Sequence, residues 1–261
     1  MRKFVPALLV ACLVLVWSVE PASAQNRRLS LIRDAEIEHT IRTYAEPIFQ
    51  VAGISPQAVD IYLVNDPSLN AFVAGGQNLY IHTGLLLAAE APDEIIGVIA
   101  HEVGHIAGGH LARGQEEIES ARRTALLTSL LGMAAAVASG DGGLGAAVVG
   151  GGATIAQRDF LSFTRTMENS ADQAGLAYLD RAGYSAEGLL HFLERLENQE
   201  LVPSSREAEY VRTHPLTHDR VEAVRERVAH SPNTGKPFPP DYDEMLVRVK
   251  AKLFGFLQPQ V

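Results

Sequence analysis

The sequence predicts an α+β chain, predominantly helical, with a small β-sheet set beside a buried central helix. Three observations carry that prediction. Two short runs rich in strand formers, residues 59–64 and 79–82, lie in the N-terminal half, with turn residues such as Asn65-Asp66-Pro67 between them. Apolar residues at helical spacing dominate the C-terminal third, as in Leu189, Leu190, Phe192, Leu193 and Leu196. Residues 92–105 are apolar nearly all round, the composition of a helix without a solvent face.

In chain order, residues 28–49 read as a helix with Ile32, Ala35, Ile37 and Ile41 among its apolar positions. The strands at 59–64 and 79–82 follow, then a short helix over 83–89. Pro92-Asp93-Glu94 has the form of a helix start, with proline in the first turn and acids at the positive end of the dipole. Residues 125–138 are an alanine-rich apolar run, broken by Ser139-Gly-Asp-Gly-Gly143, and 144–156 form a second Gly/Ala/Val run. Each is short of a bilayer-spanning helix. Together, within 124–156, they read as a helical hairpin with three open roles: part of the core (the default for such runs), a contact with a membrane surface, or a mobile lid. A second helix is expected over 167–179. Ser185 caps a helix over 186–198, residues 201–209 form a loop, and helices over 218–229 and 243–256 close the chain after a stiff proline linker at 237–240.

The N-terminus has the parts of a secretory signal: Met1-Arg2-Lys3, an apolar run over 4–18, and a small-x-small site at Ala22-Ser23-Ala24. Residues 1–24 are therefore expected to be removed. A lipoprotein-type box ending at Cys12, and an uncleaved anchor, are competing readings. The expected organisation is signal 1–24, one main domain 25–236, and a C-terminal linker and helix 237–261. The 261-residue chain has 22 basic against 31 acidic side chains, net −9. That balance argues against nucleic acid as a partner and offers no polybasic membrane anchor. The single cysteine lies in the signal, so histidines and carboxylates are left as metal ligands.

His101-Glu102-Val103-Gly104-His105 has the spacing of a metal-binding helix. Residues i and i+4 of a helix lie about 40° apart around the axis, so both imidazoles can bind one zinc ion. Glu102 then stands where a base toward water is needed. A third ligand is required. His110 is expected to face away, about 180° round a continuous helix from His101, and reads as a packing or supporting histidine. Glu168 and Asp172 are also i,i+4, on the second helix. Glu168 can complete a His2Glu site, and Asp172 can hold a ligating histidine through its other ring nitrogen.

The HEVGH motif followed by Glu168-Asn-Ser-Ala-Asp172 resembles metallopeptidase family 48, which includes membrane-linked HtpX peptidases and periplasmic BepA-type proteases. Residues 31–38, Asn70-Ala-Phe-Val73, the segment 79–85, and Thr213-His214-Pro215 with Arg220 extend the resemblance over most of 30–230. It implies a gluzincin-like fold and a zinc endopeptidase of the bacterial envelope acting in protein quality control, with one zinc per chain on His101, His105 and Glu168. It further implies that His214 lies near the metal, where it can hold the enzyme latent, and that a strand edge receives substrate in extended form. Leu79 to Ile81 is the segment expected there. Glu102 serves as base, with His214 or Arg220 as second donor to the oxyanion. Misfolded envelope proteins are the implied substrates and the periplasm the implied location. The helical-repeat array of longer relatives is not expected. Two rival readings remain: a latent zinc-bound, chaperone-like module, and a membrane-associated structural protein with an incidental motif.

Overall fold

The structure, a computed structural model, describes residues 29–199 and 208–257. The expected signal peptide lies outside the described residues, as does most of the loop expected at 201–209. The chain opens with a short strand, β1 (Leu31–Ile32), and then helix α1 (Ala35–Ala52). A helix starting at residue 28 is therefore corrected. The Asp34 carboxylate accepts from the amides of Glu36 and Ile37, both at 3.0 Å, and starts the helix there. The residues before it pair with the sheet instead.

Strands β2 (Ile61–Val64), β3 (Ala71–Ala74) and β4 (Asn78–His82) complete a four-stranded mixed sheet in the order β1-β2-β4-β3. β2 and β4 are parallel, while β3 and β4 form an antiparallel hairpin with Ala71 opposite Ile81. On one face Tyr62, Tyr80 and Phe72 stack at centroid distances of 5.0 and 4.9 Å. β4 is thus paired on both sides, so Leu79–Ile81 cannot receive a further strand. The edge strands are β1 on the far side and β3 next to β4.

After the short helix α2 (Thr83–Ala88) comes α3 (Pro92–Gly108), buried from Ile95 to His105 as its composition predicts. The hairpin follows as α4 (His110–Ser139) and α5 (Gly142–Ala182). The two helical segments expected at 144–156 and 167–179 are one continuous α5. Glycines let α3 and α5 cross closely: a Cβ on Gly104 would meet the Ala171 carbonyl oxygen at 2.6 Å. The core role for the outer hairpin is overturned, because Leu126, Leu130 and Val137 are among many large side chains there that are exposed.

Helices α6 (Glu187–Gln199), α7 (Ala208–Thr213), α8 (His218–Ala229) and α9 (Asp241–Leu257) complete the fold. Ser185 accepts from the Glu187 amide as the expected cap. Leu189, Phe192, Leu193 and Leu196 are buried, as are Leu246, Val249 and Leu253 on α9. The core therefore lies around α3, and it is this packing that fixes the position of His101 and His105. Among the described residues, no helix is long and apolar enough to cross a membrane.

Candidate metal centre

Four side chains from three places in the chain converge beside β3: His101 and His105 from α3, Glu168 from α5, and His214 just after α7. All are buried, and one ligand atom of each lies within 4.8 Å of the others. His101 Nε2 is 3.0 Å from His105 Nε2 and 3.3 Å from His214 Nδ1. The Glu168 oxygens stand 3.4 Å from each of the two α3 histidines and 3.3 Å from His214.

The surrounding bonds fix which nitrogens face inward. A carboxylate can only accept, so His101 Nδ1–H donates to Asp172 Oδ1 at 2.8 Å and leaves the Nε2 lone pair inside. A carbonyl can only accept, so His214 Nε2–H donates to the Ala71 oxygen at 3.2 Å and leaves Nδ1 inside. His105 Nδ1 meets His110 Nδ1 at 3.0 Å. Burial, then Arg113, hold His110 below its ordinary pKa, so its neutral ring can accept that proton. His110 therefore does not face away. The helix breaks at Gly109, whose φ of 62° turns α4 back over the site, and the continuous-helix premise fails.

Asp172 is itself held. Arg220 donates Nε to Oδ2 at 2.7 Å and Nη2 to Oδ1 at 2.9 Å, a bidentate pair. Its Nη1 donates to the Pro215 oxygen at 2.9 Å and lies 3.1 Å from Glu168. Burial would raise the Asp172 carboxyl, but His101 and Arg220 outweigh it and hold it below the usual range. Glu168 is likewise held well down against burial, by His101 and His214. For the metal-free protein, burial opposes charge on His101, yet Asp172 and Glu168 prevail and lift it to about 10. Burial and the neighbouring His101 drive His105 well below its ordinary value.

Glu102 differs from these carboxylates. It is fully buried, and neither oxygen has a hydrogen-bond partner among the described residues. Burial raises its pKa, although His214 and His101 pull the other way. His214 Nε2 stands 3.4 Å from its Oε1. Three inward lone pairs and one carboxylate facing each other at 3.0–3.4 Å repel unless a cation or proton lies among them. The donor set fits a tetrahedral cation of the zinc type.

Sequence reasoning missed Tyr210. Its buried ring lies 4.7 Å from the His214 ring and edge-on to Phe192 at 5.1 Å, so it supports His214 from below. Its position one helical turn before His214 is the signal that could have found it. A cleft of ≈ 260 Å³ opens beside the cluster, walled by Phe72 and Val73 of β3, Leu111 of α4, and Phe160, Phe163 and Met167 of α5.

The described chain matches the family model for peptidase family M48 over residues 32–228. The beta-barrel assembly-enhancing protease of Yersinia pestis is 30% identical over 228 residues, 86% of this chain and 45% of that protein. The metalloprotease LoiP of Escherichia coli K12 is 26% identical over 198 residues, 75% of this chain and 72% of LoiP. The mitochondrial metalloendopeptidase OMA1 of Schizosaccharomyces pombe is 26% identical over 179 residues, 69% of this chain and 49% of that protein. The chain spans less than half the length of the assembly-enhancing proteases it matches. With the two-histidine, one-glutamate cluster on crossed helices and a match across most of its length, the chain belongs to peptidase family M48.

Proposed function

We propose that this chain is a zinc-dependent metalloendopeptidase that hydrolyses peptide bonds in misfolded proteins of the bacterial envelope. The observation that carries the reading is the convergence of three ring nitrogens and the Glu168 carboxylate beside a fully buried Glu102. The relatives support it by their names, those of a beta-barrel assembly-enhancing protease and of a metalloprotease. Residues 1–24 would serve as the secretory signal and 25–236 as the peptidase domain, working in the periplasm.

His101, His105 and Glu168 would hold one zinc. That ion supplies Lewis acidity, making a water nucleophilic near neutral pH and polarising the scissile carbonyl. Glu102 takes the proton of the attacking water and returns it to the leaving amine, a role open to a buried carboxylate adjacent to the ligand His101. Asp172 holds the His101 tautomer, and His110 does the same for His105. Arg220 positions rather than donates to the oxyanion, because its hydrogen bonds already go to Asp172 and Pro215.

His214 has two parts. As a fourth donor it closes the set, whereas a catalytic zinc keeps one position open. Its Nε2–H also occupies the Ala71 carbonyl on the open edge of β3. A substrate strand pairing with that edge competes for the same carbonyl and so displaces His214. Its release leaves the fourth position open. The cleft lined by Phe160, Phe163 and Met167 suits a large apolar substrate side chain. The test is cleavage of casein by the zinc-loaded protein, its loss on chelation, and its return with zinc. A protein that takes up one zinc and cleaves nothing, even with His214 replaced by alanine, overturns the reading.

A further inference from the structure

The outer half of the α4–α5 hairpin is packed inside out. Its seam is built of small residues. A Cβ on Gly132 would meet the Gly145 carbonyl oxygen at 2.7 Å, and one on Gly152 would collide with Thr128. The large apolar side chains point away from the seam. On α4, Leu126, Leu127, Leu130, Leu131, Met133 and Val137 are 57–78 % exposed, and α5 adds exposed Leu144 and Ile155. A hairpin built for water does the reverse, burying leucines between its helices. Small residues inside and large ones outside is the arrangement of helix pairs in lipid, where close backbone approach holds the pair.

The chemistry of the surface favours lipid over a protein partner. At about 100° per residue, the exposed α4 side chains cover an arc of roughly 160°. That is broad beside the stripe of about 100° or more that an amphipathic helix buries. Between Arg123 and Arg158 the sole charged residue is Asp141, at the turn. Its carboxylate accepts from the Gly143 amide at 2.7 Å, at the positive end of α5, which offsets part of the cost of immersion. Arg123 and Arg158 lie level with each other on the two arms and form no ion pair among the described residues. From them to the tip the helices rise about 24 Å, less than the roughly 30 Å hydrocarbon core.

We propose that this hairpin enters the surface of an anionic bilayer, with Leu126 to Val137 in the acyl region and Arg123 and Arg158 at the headgroups. The substrate cleft lies at the foot of the hairpin, since Phe160, two residues from Arg158, lines it. Insertion therefore presents the cleft to chains at the membrane surface.

The test uses the full chain with Cys12→Ser, which removes its single cysteine, and an environment-sensitive nitrobenzoxadiazole dye on Leu130→Cys. The probe is a vesicle of phosphatidylethanolamine and phosphatidylglycerol. The dye should brighten, shift to the blue, and be quenched by acyl-brominated lipid. The same dye on Val247→Cys, an exposed apolar site on α9, should not respond. Leu126→Glu with Leu130→Glu should weaken the lipid signal of a dye on Ile155→Cys about tenfold or more. A dye at residue 130 that stays open to iodide and blind to brominated lipid overturns the proposal, as does a double-glutamate variant that keeps its signal. Protection of residue 130 without vesicles, growing with protein concentration, makes a second copy the occupant and overturns it too.

Discussion

Replacing Asp172 by asparagine isolates the support beneath the metal centre. The side chain keeps its shape but loses the charge that accepts from His101 at 2.8 Å and from two nitrogens of Arg220 at 2.7 and 2.9 Å. Both partners are buried, so the guanidinium is left without its carboxylate. Removing one partner of a buried pair costs about 3–5 kcal/mol. Asparagine retains one acceptor and Glu168 remains 3.1 Å from Nη1, so the lower end applies, about 3 kcal/mol. With a urea dependence of about 2–3 kcal/mol/M, the unfolding midpoint of the metal-free protein should fall by roughly 1 M. The freed imidazole also loses its tautomer, and zinc affinity should drop about 10–100-fold in competition with a chelator. A variant that unfolds at the wild-type midpoint and holds zinc within twofold or so of wild type would refute the argument that Asp172 organises the site.

Other expectations follow from the same geometry. His110→Ala removes the acceptor for His105 Nδ1–H, and zinc affinity should fall about tenfold with little change in the far-ultraviolet spectrum. His214→Ala opens the fourth position and frees the β3 edge; cleavage of an unstructured protein should rise, and an activity equal to or below wild type counts against closure by His214. In the metal-free protein His101 is lifted to about 10. Its contribution to stability is thus full below the unfolded value near 6.5 and is lost as pH rises through 10. Zinc must displace that proton, so its affinity should increase with pH across the same window, as read by calorimetry in buffers of different ionisation enthalpy.

The parts of this molecule governed by local chemistry were legible in the sequence. The helix start at Pro92, the convergence of His101 with His105 and the i,i+4 pairing of Glu168 with Asp172 all follow from helical geometry, and α8 runs over the expected residues. What failed depended on tertiary partners or on single backbone angles. Gly109 was one glycine among several, yet its left-handed φ turns His110 from the far side of the site into the partner of His105. Strand order cannot be read from β4 alone, because it is β2 that pairs with its other side and leaves β3 as the edge next to it. The N-terminal boundary moved because Asp34 outcompetes the apolar pattern ahead of it. The outer hairpin is apolar enough to be read as core. Its exposure became visible only when the glycine seam was seen to take the inner face.

The most direct test of the central claim is Glu102→Gln, assayed for zinc content and for casein cleavage on the same preparation alongside the parent chain. The substitution preserves volume and removes the base while leaving His101, His105 and Glu168 in place. The account predicts about one zinc per chain in both proteins and a loss of cleavage of roughly 10²–10⁴-fold or more in the variant. Cleavage by Glu102→Gln at the parent's rate, or a folded parent chain that takes up no zinc when it is offered, would contradict it.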